Sequence, residues 1–487
     1  MFSRRFNNSN KIGRYFYRGF KVKKDQGVNT KVTNSDRALE HFDLHYRPVY
    51  KNKWPSIRIA LLTSKKTCAV MNNFAENIKF LDEFKSNGAY DIIEKAEISQ
   101  REKANVQNHD WKNDFSEANE EIVTELEMDH RTSKFLNNNV VELNTPHDSD
   151  KILDKEPAEV KEKFNELSKT VNIDDDDDDD RKDLDRTNLY NFVPAETVYS
   201  ETHMLRIEEA KRSVFTPMDV KVDIVKPRKI VLPFDLKVIG YPSGDVTEFP
   251  DVKVDNPHGY LCFFMMDAAS ILPVIALDLE KGDNVLDLCA APGGKSLTIL
   301  QTGLAGNLTC NDLSGSRIQR LLNILQYYIP EEQREHVTVT RKSGLAYDQP
   351  DFDKVLVDVP CNTDRHYLLE DVNNLFSPSR ISERIEMPTL QKDLLLSGIK
   401  SCRPGGSVVY STCTLSPAQN DGVIQNALDD LWRNTNIDVV VEDLEEITDI
   451  FKDSFQFYKN CRFGQLVLPS LSLNYGPMYF CRLRRVA

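Results

Sequence analysis

The sequence has no uninterrupted apolar run long enough to cross a bilayer. Its longest apolar stretch, residues 261–279, is interrupted by Asp267, Ser270 and Pro273, whereas a membrane-spanning helix needs about 20 predominantly apolar residues. We therefore predict no transmembrane helix. At 487 residues, of which 40% are hydrophobic, the chain is long enough for a large packed core and for two or three domains.

Cysteine is scarce, and its spacing argues against two kinds of site. The nine cysteines are odd in number, include no Cys-x-x-Cys pair, and have no histidine neighbours at zinc-finger spacing. Neither a disulfide framework nor a zinc site is therefore predicted. Thiols in such a pattern are either buried apolar residues or chemically active groups, as expected in a reducing compartment.

An excess of positive charge is also absent. The net charge is -14, which at first argues against a nucleic-acid partner. The acidity is local, however, because residues 97–185 hold 27 Asp and Glu against 12 Lys and Arg. The rest of the chain is close to neutral and can carry a basic cleft, since phosphate binding depends on where positive charge lies.

The first 24 residues differ from the rest of the chain. Met1–Lys24 contains eight basic residues, several aromatic residues and no acidic residue. This composition predicts a mitochondrial presequence over residues 1–24, and hence a location in the matrix. A basic RNA-binding tail is the alternative interpretation.

Two segments of different character follow the predicted presequence. Residues 36–95 predict a small folded unit, with an alternating strand pattern at Ile57–Leu62 and a helix pattern at Met71–Phe84. Residues 97–186 are rich in charged and amide side chains and contain the unbroken run Asp174–Asp180. Such a segment buries too little apolar surface to fold, so we predict a disordered insert that serves either as a solvated spacer or as an RNA mimic.

From residue 187 to the end, short β-rich runs alternate with helical stretches. The strand candidates are Asn284–Leu288, Asn307–Asn311, Val337–Thr340, Lys354–Val357 and Ser407–Ser411, with helices such as Ser316–Tyr328 and Pro388–Ser401 between them. This alternation predicts an α/β fold with a parallel sheet covered on both faces. We expect residues 187–280 to form an extension of the catalytic domain, which occupies residues 281–487.

A glycine-rich turn follows the first of these strands. Residues 285–295 run from a buried strand through Gly293 and Gly294 into a helix, and such turns let backbone N–H groups approach a ligand closely. About twenty residues later, at the end of the next strand, Asp312 is placed to bind ribose hydroxyls. Together these residues indicate a nucleoside-bearing cofactor and do not identify it.

Three motifs in a fixed order make the pattern more specific. They are Leu288-Cys-Ala-Ala-Pro-Gly-Gly-Lys295, Asp358-Val-Pro-Cys361 and Ser411-Thr-Cys-Thr414. With them, the chain resembles the Nop/Sun family of RNA cytosine-5 methyltransferases. Trp54-Pro-Ser-Ile-Arg58, Pro257-His-Gly-Tyr260 and Asp364-Arg-His366 resemble its mitochondrial ribosomal-RNA branch most closely. The resemblance covers residues 36–95 and 187–487. It implies a class I, Rossmann-like methyltransferase fold with a seven-stranded, mostly parallel sheet and a small N-terminal unit beside it.

The resemblance also implies S-adenosylmethionine as cofactor. Gly293, Gly294 and Lys295 are then expected to hold its methionine part, and Asp312 and Arg317 its ribose. Beside the adenine, the family usually has Asp-Gly after the third strand, whereas this chain has Ser343-Gly344. A serine hydroxyl accepts a hydrogen bond without charge, so weaker cofactor binding is expected.

Transferred by position, the family's catalytic groups are Cys413, Cys361 and Asp358. Cys413 is then the nucleophile that adds to carbon 6 of cytosine, because carbon 5 is a poor nucleophile until the ring is activated. Asp358 would hold the amino group and ring nitrogen 3 of the base, and Cys361 would help to remove the carbon-5 proton. Lys295 is expected to line the same pocket, while Cys289, Cys310 and Cys402 are expected to be buried apolar residues.

A target base must be single-stranded or flipped, which favours a loop in structured RNA. Basic residues before the catalytic core could contact phosphates or form a solvated strand face: Lys211, Arg212, Lys221, Lys226, Arg228 and Lys229. The resemblance implies methylation of small-subunit mitochondrial ribosomal RNA, a role in ribosome assembly, and a helical-repeat partner of the mitochondrial termination-factor type. A pure assembly factor and a transfer-RNA or DNA cytosine methyltransferase are the alternatives.

Overall fold

The computed structural model describes residues 32–103, 200–218, 222–227, 229–254 and 259–487. The predicted presequence and most of the predicted acidic insert lie outside these ranges. The α-helices are Asn34–Tyr50 (α1), Trp54–Leu62 (α2), Ile78–Ser86 (α3), 92–103 (α4), Glu201–Arg212 (α5), Leu272–Ala276 (α6), Gly294–Gln301 (α7), Gly315–Tyr328 (α8), Glu331–Arg334 (α9), Asp364–Leu369 (α10), Ile381–Ser401 (α11), Asp421–Asn434 (α12) and Glu445–Ile450 (α13). The strands are Cys68–Met71 (β1), Tyr90–Asp91 (β2), Ile224–Val225 (β3), Val238–Gly240 (β4), Phe263–Met266 (β5), Asp283–Asp287 (β6), Ala305–Asn311 (β7), Val337–Thr340 (β8), Phe352–Asp358 (β9), Cys402–Thr412 (β10), Val439–Glu442 (β11), Phe457–Tyr458 (β12), Gln465–Val467 (β13) and Met478–Arg485 (β14). Among the described residues, no helix combines the length and the apolar character that a bilayer crossing requires.

The central sheet is built around five parallel strands in the order β8-β7-β6-β9-β10. Beyond β10, strand β14 pairs antiparallel with both β10 and β11. These seven strands confirm the predicted mostly parallel α/β sheet, and the short strands β3, β12 and β13 extend it. The strand order reverses between β6 and β9, which creates a crevice beyond their carboxyl ends.

All five predicted strands of this sheet and both predicted helices are present. Their ends differ most at α11, which begins at Ile381 although the prediction places its start at Pro388. Proline favours the first turn of a helix, which explains the predicted start. The preceding turns form because Ile385 and Met387 are buried, so tertiary packing extends the helix past the local signal.

The strand predicted at Ile57–Leu62 is wrong, because these residues lie in α2. Apolar residues alternate there, but the deeply buried ones, Ile57, Ala60 and Leu61, have helical spacing. Pro55 lies in the first turn, where a helix accepts proline. The helix predicted at Met71–Phe84 exists only from Ile78 onward, since Met71 ends β1.

A second, antiparallel sheet has the order β2-β4-β1-β5. Strands β1 and β2 belong to the predicted N-terminal unit, and β4 and β5 belong to the predicted extension. Helix α4 is described as far as residue 103, so the first residues of the predicted acidic insert, 97–103, are helical. Gln100 in α4 donates to the carbonyl of Ile230 at 2.8 Å and to Glu446 at 2.9 Å.

Candidate active site

The carboxyl ends of four parallel strands bring the predicted site residues to one edge of the sheet. The glycine-rich turn follows β6, Asp312 follows β7, Asp358 ends β9, and Cys413 follows β10. Since the strand order reverses between β6 and β9, these groups surround the crevice where open α/β sheets bind ligands. The fold therefore joins motifs that lie far apart in sequence.

The glycine-rich turn depends on glycine at one position in particular. Gly293 has a φ of +116° and caps the N-terminus of α7. A Cβ atom at this position would lie 2.7 Å from Cδ1 of Leu321, so both the backbone and the space favour glycine. The first N–H groups of α7, from Gly294 onward, have no intrahelical acceptors and form a suitable site for an anionic group such as a carboxylate.

Asp312 is almost fully buried, with 3% of its surface exposed. Its Oδ1 atom accepts the N–H of Ser314 at 2.9 Å. Its Oδ2 atom lies 3.3 Å from Nη1 of Arg317 but has no aligned hydrogen bond in the described part of the chain. Arg317 also donates through Nη2 to the carbonyl of Ala291, and so ties this carboxylate to the glycine-rich turn. The unfilled Oδ2 acceptor fits a ribose hydroxyl.

Ser343 and Gly344 have local structural tasks. The Ser343 side chain is exposed, and its hydroxyl accepts the N–H of Leu345 at 3.3 Å. Gly344 is buried, and a Cβ atom there would lie 2.6 Å from Cδ2 of Leu394. Their expected contact with adenine stays a prediction.

The three predicted catalytic residues lie together with Lys295. Sγ of Cys361 is 3.2 Å from Sγ of Cys413, and the backbone N–H of Cys413 donates to the same Cys361 sulfur at 3.3 Å. Asp358 accepts from Lys295 Nζ at 2.8 Å and from Ser411 Oγ at 2.7 Å. Asp358 and Ser411 are direct partners in the parallel β9–β10 pairing, which explains this contact. One accepted bond on each carboxylate oxygen leaves acceptor capacity for a base.

The contact between the two thiols shifts their pKa values in opposite directions. The contact between the two sulfurs, with the backbone N–H that Cys413 donates, lowers the pKa of Cys361, although burial opposes this. The same contact, with burial, raises the pKa of Cys413. Burial also lowers the pKa of Lys295, but the charge and hydrogen bond of Asp358 outweigh it, so the pKa of Lys295 is raised overall. The pair therefore loses a first proton more readily than a second, and Lys295 stays cationic beside Asp358.

Two further carboxyl groups are buried near the site, and the sequence motifs predicted a function for neither. Asp287, at the end of β6, accepts from Ser296 Oγ at 2.7 Å, and burial raises its pKa to about 7. These two residues flank the glycine-rich turn, so its motif contained a signal for them. Asp364 accepts from Thr414 at 2.8 Å and from Tyr46 of α1 at 3.1 Å. No sequence signal predicts the Tyr46 contact, which joins residues 318 positions apart.

Other expectations have mixed outcomes. Cys310 and Cys402 are buried as predicted, whereas Cys289 is partly buried and packs against the core. Burial raises the pKa of all three thiols, that of Cys402 to about 12.

Of the basic residues, Lys226 and Lys229 are exposed, while Lys221 and Arg228 lie outside the described residues. Their contact with phosphates stays a prediction.

These features fit S-adenosylmethionine. The left-handed turn at Gly293 precedes a helix N-terminus that can bind the carboxylate of the cofactor. Oδ2 of Asp312, which has no hydrogen bond among the described residues, can accept one from a ribose hydroxyl. The pair of thiols, next to Asp358, lies at the same edge of the sheet. The arrangement can therefore hold a nucleoside cofactor at the sheet edge where the two thiols lie.

Comparison with known proteins agrees with this chemistry. A family profile described as 16S rRNA methyltransferase RsmB/F matches residues 274–459. The 5-cytosine rRNA methyltransferase NSUN4 of Xenopus laevis is 35% identical over 96% of this chain and 95% of that protein. The corresponding protein nsun-4 of Caenorhabditis elegans is 33% identical over 93% of this chain and 92% of its own length. A mitochondrial tRNA (cytosine(34)-C(5))-methyltransferase of Danio rerio is 42% identical over 46% of this chain and 61% of that protein. The chain belongs to the NSUN4 family of S-adenosylmethionine-dependent 5-cytosine rRNA methyltransferases.

Proposed function

We propose that this protein methylates carbon 5 of a cytosine in mitochondrial small-subunit ribosomal RNA, with Cys413 as the covalent nucleophile. The observation that carries the proposal is the contact of Cys413 with Cys361 at 3.2 Å, at the sheet edge where Lys295 and Asp358 also pair. Near-full-length relatives are named 5-cytosine rRNA methyltransferases, which supports ribosomal RNA as the substrate.

The thiol pair supplies the nucleophile. The contact between the two thiols lowers the pKa of Cys361 and raises that of Cys413, so Cys361 loses its proton first and the remaining proton lies on Cys413. Transfer of that proton to Cys361 leaves a thiolate on Cys413, which adds to carbon 6 of the cytosine and makes carbon 5 nucleophilic. Bound S-adenosylmethionine supplies the electrophilic methyl group. Addition through Cys413 is therefore the step that activates the base.

Asp358 and Lys295 hold the base while charge develops in its ring. Asp358 accepts from the cytosine amino group through the acceptor capacity that Lys295 and Ser411 leave unused. Lys295 balances the carboxylate charge and keeps a positive group beside the ring. A fixed ion pair can do this without rearranging as the reaction proceeds.

Cys361 closes the catalytic cycle. It first gives its proton to solvent, and as a thiolate it then removes the proton from carbon 5 while the bond from Cys413 to carbon 6 breaks. The pair thereby returns to its starting state with one proton. The single proton lost to solvent is the one that methylation of a C–H bond must release, so the scheme balances.

Location and partners form part of the same proposal. The basic, acid-free segment Met1–Lys24 and the mitochondrial names of transfer-RNA methyltransferase relatives support a mitochondrial location, and we propose the matrix. The helical-repeat partner of the termination-factor type rests on family resemblance alone. Co-purification of the tagged full-length protein from mitochondria tests it, and recovery of no such protein at stoichiometric amount would reject it.

Bisulfite sequencing of mitochondrial RNA tests the substrate. Cells lacking the protein receive the wild type, Cys413→Ala, or the control Cys461→Ala, which removes a partly buried thiol elsewhere. We expect one small-subunit cytosine to lose methylation and to regain it with the wild type and the control only. If methylation is lost at a transfer-RNA position instead, the substrate is transfer RNA and the proposed substrate is wrong. If ribosomes assemble normally with Cys413→Ala, assembly depends on a scaffold role of the protein and not on methylation.

A further inference from the structure

One buried carboxylate connects the two loops that carry the catalytic thiols. Asp364 follows Cys361 by three positions, and Thr414 directly follows Cys413. The Asp364 side chain has no exposed surface. Burial raises the pKa of this carboxyl group to about 7, although its three hydrogen-bond donors among the described residues oppose the shift.

The contacts of Asp364 cross from one catalytic loop to the other. Thr414 Oγ1 donates to Asp364 Oδ1 at 2.8 Å, and the backbone N–H of Leu415 donates to Oδ2 at 2.7 Å. Tyr46 Oη in α1 donates to the same Oδ1 at 3.1 Å. The carboxylate thus fixes the chain just after Cys413 relative to the chain just after Cys361.

The backbone beside Asp364 also needs such support. Thr363 has a φ of +43° and lies in the left-handed region, which non-glycine residues rarely adopt. Residues in such conformations persist when the surrounding contacts determine them. Asp364 anchors the chain immediately after Thr363, and Cys361 lies two residues before it.

We propose that Asp364 is a positioning residue for methyl transfer, which holds the Cys361 and Cys413 sulfurs in contact, and that Tyr46 extends this restraint to α1. Among the described residues, Asp364 makes no hydrogen bond to the glycine-rich turn or to the thiols of Cys361 and Cys413. It acts through Thr414 and Leu415 on the position of Cys413, and on Cys361 through the backbone and through its charge, which raises the pKa of Cys361. The inference deepens the proposed function, because it rests on those two thiols being the reacting groups.

Nearly isosteric variants test the proposal. Thr414→Val removes the hydroxyl contact and Asp364→Asn removes the ionisable carboxyl group, while Thr414→Ser keeps the hydroxyl. Tyr328→Phe is the control, because it removes another buried tyrosine hydroxyl, which donates to the carbonyl of Phe263 at 3.1 Å. Thr414→Val and Thr414→Ser suffice if Asp364→Asn fails to fold.

Two measurements separate positioning from stability. Because a misplacement of about 1 Å can lower a rate roughly 100-fold, we expect Thr414→Val and Asp364→Asn to lower kcat by about 10- to 100-fold. The KM for S-adenosylmethionine should change less than about threefold, since neither substitution removes a group that is expected to bind the cofactor. Thr414→Ser and Tyr328→Phe should keep the wild-type kcat.

The second measurement needs no RNA. Thiolate absorbance at 240 nm, followed against pH with Cys461 and the other thiols unchanged, reports ionisation of the pair. We expect the first ionisation to move to higher pH in Thr414→Val, because Cys361 loses donors from Cys413. A normal kcat per folded molecule with an unchanged thiol titration would overturn the proposal, even if unfolding temperatures fall. If the first thiol ionisation moves to higher pH in Thr414→Val but the wild type does not methylate ribosomal RNA, the positioning role is supported and the proposed substrate is wrong.

Discussion

Replacing Asp287 with asparagine tests how burial raises the pKa of a carboxyl group beside the glycine-rich turn. Asp287 is 1% exposed and has one hydrogen bond, from Ser296 at 2.7 Å, while its Oδ1 atom has no partner among the described residues. Asparagine has nearly the same shape and still accepts from Ser296 through its carbonyl oxygen. The substitution therefore removes the titration and changes little else.

The magnitude follows from the two pKa values. Burial raises the pKa of Asp287 to about 7, whereas an aspartate in an unfolded chain titrates at about 3.9. Because the folded state has the higher pKa, it keeps the proton that the unfolded state loses, and stability falls as pH rises through this window. From pH 5 to pH 8 the loss due to this group is roughly 2.5 kcal/mol. Asp287→Asn lacks this loss.

Urea unfolding under reducing conditions measures the difference. The full-length wild type, Asp287→Asn and the exposed control Asp348→Asn are compared at pH 5 and pH 8. The gain in free energy of unfolding from Asp287→Asn should be larger at pH 8 by the stated amount, and the control should show no such change. Equal gains at the two pH values would refute the burial argument.

Three further predictions concern the reaction and the cofactor turn. Cys361→Ala should accumulate a covalent protein–RNA adduct on denaturing gels while Cys413→Ala forms none, because the former keeps the nucleophile, whose proton can pass to solvent, and lacks the base that completes release; the reverse pattern would exchange their roles. Lys295→Met should lower kcat roughly 100-fold in a single-turnover assay, because Asp358 loses its paired cation, and a rate within about threefold of wild type would contradict this. Gly293→Ala should destabilise the protein by about 1–3 kcal/mol in urea unfolding, because alanine is strained at positive φ. The same variant should weaken S-adenosylmethionine binding in calorimetry, and unchanged affinity would show that the turn does not shape the cofactor site.

The sequence predicted the central sheet well because its strands are local apolar runs bounded by turn signals. Local patterns do not determine the structure of Ile57–Leu62, where one set of apolar residues suits both an alternating and a helical pattern. There, packing in the folded chain decides the outcome. Short runs of this kind are ambiguous before tertiary contacts are known.

The candidate site divides in the same way. Motifs that end a strand, such as Asp358 and Cys413, could be placed because parallel strands bring their carboxyl ends together. Arg317 was expected to bind ribose, and the structure also shows it bonded to the carbonyl of Ala291, a contact that spacing does not reveal. The bond between Tyr46 and Asp364 could not be predicted, since no periodicity relates residues 318 positions apart.

The antiparallel sheet has a consequence for dissecting the chain. Strand β1 pairs on one side with β4 and on the other with β5, both more than 160 residues downstream. A protease that cuts between residues 104 and 199 would nick the polypeptide without freeing an N-terminal piece, because backbone hydrogen bonds still join the fragments. The two products should co-elute in gel filtration and separate only in denaturant. A recombinant fragment that starts after the cut would lack both β1 and β2, so β4 and β5 would lose the strand that lies between them.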